Sequence, residues 1–137
     1  MSLFNVFDVA GSAMSAQNTR LNVTASNVAN ADSVAPSEDK AYKARQPVFA
    51  ALMDQFGMYP EKVGVRMEGI VESGTENTMR YAPGHPYANE DGYIFESNVN
   101  VIEEMTNLIS ASRSYQNNVE VINTSKQMLL QTLKMGE

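Results

Sequence analysis

The chain has 137 residues, of which 43% are hydrophobic and 19% are charged, with a formal charge of −6 and a pI near 4.7. This composition predicts one folded domain, and an acidic chain without a basic cluster lacks the positive face that nucleic acid or an anionic membrane requires. The absence of cysteine excludes disulfides and cysteine-ligated zinc. No apolar run approaches the ~18 residues of a membrane span, so we expect no direct lipid anchor.

The N-terminal stretch, residues 1–31, carries an apolar stripe with helical spacing. Only Asp8 and Arg20 are charged there, so its polar face consists of neutral side chains, among them Asn27 and Asn30. Neutral groups suit subunit contacts because an amide loses less on desolvation than an ion does. We therefore favour homo- or hetero-assembly over a monomeric helical pair. Alternating steps of four and three residues follow the stripe through Leu3, Phe7, Ala10, Met14, Gln17, Leu21, Thr24 and Val28.

The middle of the chain, residues 32–97, differs sharply in composition, because all five prolines and six of the eight glycines lie there. Residues 32–40 read as a polar loop. Strand candidates occupy residues 41–52, where Pro47 confines the strand to an edge or breaks it, and residues 64–73, where Gly69 suggests a bulge. Asp91-Gly92 predicts a turn ahead of a short apolar strand. We expect a small β-rich module with long loops.

The last third, residues 98–137, contains no proline, and its single glycine is Gly136. A helix over most of it would be ~50 Å long, longer than most proteins of this size are wide, so it needs a partner along its side. The expected fold is mainly α with a β insert. Residues 1–31 and 98–137 pair as an antiparallel-type coiled coil in one helical domain, and residues 32–97 form the insert. The stripe comprises Val101, Met105, Leu108, Ser112, Tyr115, Val119, Ile122, Lys126, Leu129 and Leu133.

Residues suited to catalysis or cofactor binding are few. His85 is the only histidine and stands between Gly84 and Pro86, which predicts a turn residue bonded to the backbone. No GxSxG or glycine-rich phosphate loop is present. Glu90 and Asp91 are adjacent and so cannot flank a sugar ring as paired catalytic carboxylates do. We predict a protein that is not an enzyme and that uses no cofactor and no metal.

Three strings resemble the bacterial flagellar basal-body rod protein family, most closely its proximal rod members. One is the asparagine-rich helix end at residues 25–31, and another runs from Asn98 through the C-terminal helix to Lys126. The third and more specific string covers residues 83–93. Its matching positions are Pro83, Gly84, His85, Pro86, Asp91, Gly92 and Tyr93.

The resemblance implies a structural subunit that assembles into a helical periplasmic drive shaft and transmits torque from motor to hook. It implies export through the flagellar type III system without a cleaved signal. The expected partners are other rod subunits, the basal-body base and the export gate, in a homo- and hetero-oligomeric assembly. The alternative is a type III secretion or adhesin-like coiled-coil protein that binds a partner outside a rod.

Overall fold

A computed structural model describes residues 3–52 and 63–136, together with the side chains of the first helix from Asn5 onward. The chain begins with a long helix, α1 (Leu3–Ala29), and ends with another, α2 (Val101–Met135), and the β strands lie between them in the sequence. The strands are β1 (Val34–Ala35), β2 (Arg45–Leu52), β3 (Gly64–Glu72), β4 (Met79–Tyr81) and β5 (Tyr93–Glu96). The predicted mainly α fold with a β insert is confirmed, and the structure shows that the pairing within the β module is antiparallel.

Helix α1 ends where its asparagines satisfy the last carbonyl groups. The Asn30 side chain donates to the Ser26 carbonyl at 2.8 Å, and the Asn30 backbone N–H reaches the Ser26 and Asn27 carbonyls. The Ser33 hydroxyl then donates to the Asn30 carbonyl at 2.7 Å. These bonds replace those that a helix loses at its C-terminus. The predicted end near residue 31 is confirmed to within two residues.

Helix α2 begins with a side-chain cap. The carboxamide oxygen of Asn100 accepts from the backbone N–H groups of Ile102 and Glu103 at 3.1 and 3.4 Å. Asparagine is among the favoured residues at this position because it satisfies free N–H groups of the first turn. Glu103 and Glu104 follow in that turn, where negative charge is stabilised by the helix dipole.

The two helices pack side by side in opposite directions. Arg20 donates to the Asn107 carboxamide oxygen at 2.9 Å, and the Ser97 N–H donates to the Ser33 carbonyl near the joined ends. Residue numbers therefore rise along α2 as they fall along α1. Ala16 and Ala111 are 7% and 0% exposed. Such small side chains let helix backbones approach closely.

The face of α2 that packs against α1, which we call the seam, shares only part of its residues with the predicted stripe. Its buried positions are Glu104, Ala111 and Ser125. Together with the half-buried Leu108, Tyr115, Asn118, Ile122 and Leu129 they follow one another at steps of four and three. The predicted positions Val101, Met105, Lys126 and Leu133 are exposed, so the described chain does not cover that part of the stripe, and its role as an assembly surface stays a prediction. The face of α2 that packs against α1 carries small and polar residues, which allow the two helices to approach closely. The more apolar neighbouring face is exposed to solvent.

Strands β2 and β3 form a two-stranded antiparallel sheet against α1. Pro47 pairs opposite Ile70 and can do so because each strand has an open edge. The register shifts between Val48, opposite Gly69, and Phe49, opposite Met67, which leaves Glu68 as the extra residue. The bulge predicted at Gly69 and both predicted strands are therefore confirmed, with the first strand starting at Arg45 rather than residue 41.

The second sheet has the order β1-β5-β4, and all of its neighbours are antiparallel. Its centre is Ile94 of β5, which is 0% exposed. Strand β1 lies in the stretch that the sequence predicted as a plain polar loop, and that prediction was wrong for Val34 and Ala35. These two residues form a strand because Glu96 and Phe95 of β5 stand opposite them.

The turn before β5 depends on glycine. Gly92 has a φ of 81°, and a Cβ placed there would lie 3.0 Å from the Tyr81 ring and 3.1 Å from Pro83 Cβ. We expect Gly92→Ala to lower the free energy of unfolding by about 1–3 kcal/mol because the left-handed backbone and the close approach both disfavour a side chain. Urea denaturation measures this. Gly84→Ala is the matched control, since nothing lies within 4 Å of its Cβ. An equal loss in both variants would contradict the explanation.

Candidate assembly surfaces

The end of α1 is tied to the start of β2 by one buried carboxamide. Asn27 is 1% exposed. Its Nδ2 donates to the Arg45 carbonyl at 2.8 Å, and its Oδ1 accepts from the Arg45 N–H at 2.9 Å and from the Tyr42 hydroxyl at 3.0 Å. The side chain thus pairs with Arg45 as a neighbouring strand would. Its amide groups are used within the chain, inside the junction of helix and sheet.

Two further asparagines hold the same segment from other directions. The Asn98 carboxamide accepts from the Ala44 N–H at 2.6 Å and donates to the Thr75 carbonyl at 2.7 Å. The Asn77 Nδ2 donates to the carbonyls of Tyr42 and Glu96 at 2.9 and 2.8 Å. We call Asn27, Asn77 and Asn98 the asparagine junction. It holds residues 42–45 against both helix ends, and so sets the orientation of the β module.

The predicted stripe of α1 lies toward the rest of the molecule. Ala10 and Thr24 are each 4% exposed, while Asp8, Gly11 and Ser15 face outward. The side chain of Leu3 lies outside the described part. The remaining predicted residues of this helix are half-buried: Phe7, Met14, Gln17, Leu21, Val28 and Asn30.

The predicted stripe of α2 divides between the seam and solvent. Leu108, Tyr115, Val119, Ile122 and Leu129 are half-buried. Met105 is 55% exposed and lies beside two isoleucines that the stripe omitted, Ile102 at 78% and Ile109 at 53%. We define the outer face of α2 as Ile102, Met105, Ile109 and Arg113. Their spacing of three and four residues, offset from the seam, is the signal that could have found them.

The motif turn, residues 83–93, forms a compact loop between β4 and β5. The His85 N–H donates to the Ala82 carbonyl at 3.0 Å, and the Ala88 N–H donates to the His85 carbonyl at 2.9 Å, so two turns follow one another. The His85 Nδ1 accepts from the Tyr87 N–H at 3.2 Å. The predicted role of His85 as a turn residue bonded to the backbone is confirmed. At the base of the loop, the Tyr81 and Tyr93 rings meet edge to face at 5.2 Å.

Within the described ranges, no group of three or more His, Asp or Glu side chains could hold a metal ion. Neither helix, as far as it is described, is long and apolar enough to cross a membrane. The exposed apolar side chains of α2 are typical of a surface that is covered by another protein.

Comparison with known proteins agrees with this architecture. Residues 7–35 match the family model described as flagella basal body rod protein, and residues 90–135 match flagellar basal body rod FlgEFG protein C-terminal. The flagellar basal-body rod protein FlgC of Yersinia enterocolitica is 50% identical over the full length of both chains. Those of Salmonella typhimurium and Buchnera aphidicola from Acyrthosiphon pisum are 48% and 45% identical, again over both full lengths.

The chain belongs to the FlgC family of flagellar basal-body rod proteins. The resemblance first noted in residues 25–31, 83–93 and 98–126 therefore extends over the whole chain. Membership makes the chain a structural subunit of the flagellar basal-body rod, and the alternative of a secreted coiled-coil protein outside a rod is not favoured. The two family models match the segments that contain most of α1 and α2.

Proposed function

We propose that this FlgC-family subunit assembles with itself and with other rod proteins into a helical shaft that spans the periplasm and transmits torque to the hook. The observation that carries the proposal is the outer face of α2. Ile102 and Ile109 of α2 are 78% and 53% exposed, and leaving them in water forgoes about 25 cal/mol per Å² of apolar burial. Contact between unlike surfaces of successive copies generates an open filament.

The packing of the chain supports a division of the subunit into a helical pair and a β insert. We propose that residues 1–31 and 98–137 act as one helical-pair domain in the form of an antiparallel-type coiled coil, with residues 32–97 as its β insert. Steps of four and three from Glu104 through Leu108 and Ala111 to Tyr115 support that geometry. The apolar stripe residues of both helices, together with the motif turn, would then form the subunit contacts.

The shaft must resist twisting to pass torque. Closely packed interiors deform little, and the asparagine junction adds hydrogen bonds of 2.6–3.0 Å where the β module meets the helices. We propose that the subunit is exported unfolded by the flagellar type III system, meets the basal-body base and the export gate as it assembles, and has no enzymatic role.

The direct test is to isolate hook–basal bodies from the source bacterium and quantify this chain by mass spectrometry. We expect it at a fixed number of copies per particle, and we expect deletion of its gene to abolish motility. Wild-type chain restored from a plasmid is the control for the deletion. Particles that lack the chain, with the protein free in the periplasm or medium, would contradict the proposal.

A further inference from the structure

Two methionines of α2 are almost equally accessible to solvent. Met105 is 55% exposed and Met128 is 54% exposed. The chain contains no cysteine, so the methionine thioether is the side chain that a peroxide oxidises most readily, and its susceptibility follows exposure. Both residues are therefore open to oxidation in the free subunit, and they form a matched pair on one helix.

The two methionines differ in what surrounds them on the helix surface. Side chains three and four residues away are the neighbours of a residue on an α-helix. The four neighbours of Met105 are all apolar: Val101, Ile102, Leu108 and Ile109. The four neighbours of Met128 all carry polar groups: Thr124, Ser125, Gln131 and Thr132. A polar atom added at Met105 therefore has no polar side chain one turn away on either side.

We propose that Met105 is an oxidation site that controls whether the subunit can join the rod, with a peroxide as the oxidant. The thioether sulfur attacks one oxygen of hydrogen peroxide, the O–O bond breaks as the S–O bond forms, and the second oxygen leaves as water with both hydrogens. The sulfur loses two electrons and the peroxide gains them, so the products are methionine sulfoxide and water. Sulfoxide reductases reverse the change.

The sulfoxide places a polar S–O bond between Ile102 and Ile109 in the outer face of α2. Contact with a neighbouring subunit removes water from that face, and a polar group that loses water without gaining a hydrogen bond disfavours the contact. In the free subunit Met105 stays in water, so the fold is not affected. Oxidation therefore weakens incorporation alone. This inference rests on the proposed function because it takes the outer face to be covered in the rod.

Peroxide footprinting tests the site in the wild-type chain. The purified subunit and isolated basal bodies are treated with the same dilute hydrogen peroxide, and methionine sulfoxide is quantified at each position by mass spectrometry of peptides. In the free subunit we expect Met105 and Met128 to oxidise at rates within about twofold of each other, because their exposures match. In basal bodies we expect Met105 to oxidise about tenfold more slowly than in the free subunit.

The outcomes of the footprint separate this inference from the proposed function. Oxidation of Met105 at the same rate in basal bodies and in the free subunit would overturn the inference, although the chain would still be a rod subunit. Resistance of Met105 in the free subunit, where Met128 reacts, would overturn it as well. Basal bodies that lack the chain altogether would instead contradict the proposed function.

Glutamine imitates the sulfoxide, because it is a polar side chain of similar length. We expect Met105→Gln to give about tenfold fewer chain-containing basal bodies per cell than Met128→Gln, since only the first places an unpaired polar group in an apolar contact. Thermal melting of the two purified subunits checks that both fold. Similar numbers of basal bodies in the two strains would overturn the role of Met105.

Leucine removes the sulfur and keeps the side chain apolar. Cells that carry Met105→Leu or Met128→Leu are grown with and without hydrogen peroxide, and the ratio of basal bodies per cell in the two conditions is taken for each strain. Peroxide damage to other proteins is common to both ratios. We expect the ratio to be about threefold higher for Met105→Leu, which lacks the sensitive sulfur. Equal ratios would overturn the control of assembly by oxidation.

Discussion

Asn27→Ala is expected to lower the free energy of unfolding by about 2–4 kcal/mol. The substitution removes three hydrogen bonds of 2.8–3.0 Å and leaves the Arg45 N–H and carbonyl without their partner at a site that is 1% exposed. An unsatisfied buried polar group costs about 1–3 kcal/mol. Urea denaturation of the purified subunit, followed by far-ultraviolet circular dichroism, measures the loss.

Asn22→Ala is the matched control on the same helix. Asn22 is exposed and makes only a 3.4 Å contact with Asn18, so its replacement should change stability by less than about 0.5 kcal/mol. Similar losses in the two variants would contradict the assignment of Asn27 to a junction between helix and sheet. A selective loss at Asn27 would establish the junction.

Ile109→Asp should leave the isolated subunit folded but prevent its incorporation into the rod. Ile109 is 53% exposed, so the monomer's free energy of unfolding should change by less than about 0.5 kcal/mol. Covering the new carboxylate with a neighbouring subunit would bury an unpaired charge, which is strongly unfavourable. Motility assays and counts of basal bodies per cell measure incorporation, and thermal melting checks the fold.

Ile109→Val and Ser110→Asp serve as controls for the outer face. The first keeps the surface apolar, and the second places the same charge at an exposed position about 100° further around the helix. Both should retain motility. A motile Ile109→Asp strain with normal basal bodies would show that the outer face is not covered in the rod.

Local chemistry made the element boundaries predictable. The asparagine-rich end of α1, the bulge at Gly69 and the turn at Gly92 each depend on a residue's own backbone preferences or on groups a few residues away. The position of β1 was not predictable in this way. Val34 and Ala35 carry no strand pattern, and they are ordered by β5, some 60 residues later.

The flank of α2 that meets α1 also lay beyond the sequence pattern. Residues 108, 115, 122 and 129 fit a helical stripe with the residues on either side of them. The stripe that includes Met105 and Val119 is the more apolar, so the sequence pattern favoured it over the stripe that includes Glu104 and Ala111. Ala111 and Ala16 are buried instead, because close backbone approach depends on small residues of both partners. The partners of Asn27 likewise lie outside its own helix, in Tyr42 and Arg45. The family was evident from the motifs, whereas the flank of α2 that packs within the chain depended on both helices.

The pairing of β1 with β5 has a consequence for how proteins of this architecture can vary. Val34 and Ala35 stand opposite Glu96 and Phe95, and the Ser97 N–H bonds to the Ser33 carbonyl, so the chain is closed just beyond the two helix ends. Doubling the length of a closed loop adds only about 0.6 kcal/mol of entropic free energy. Insertions between β1 and β5 can therefore enlarge or replace the outer part of the subunit while the helix pair stays in place.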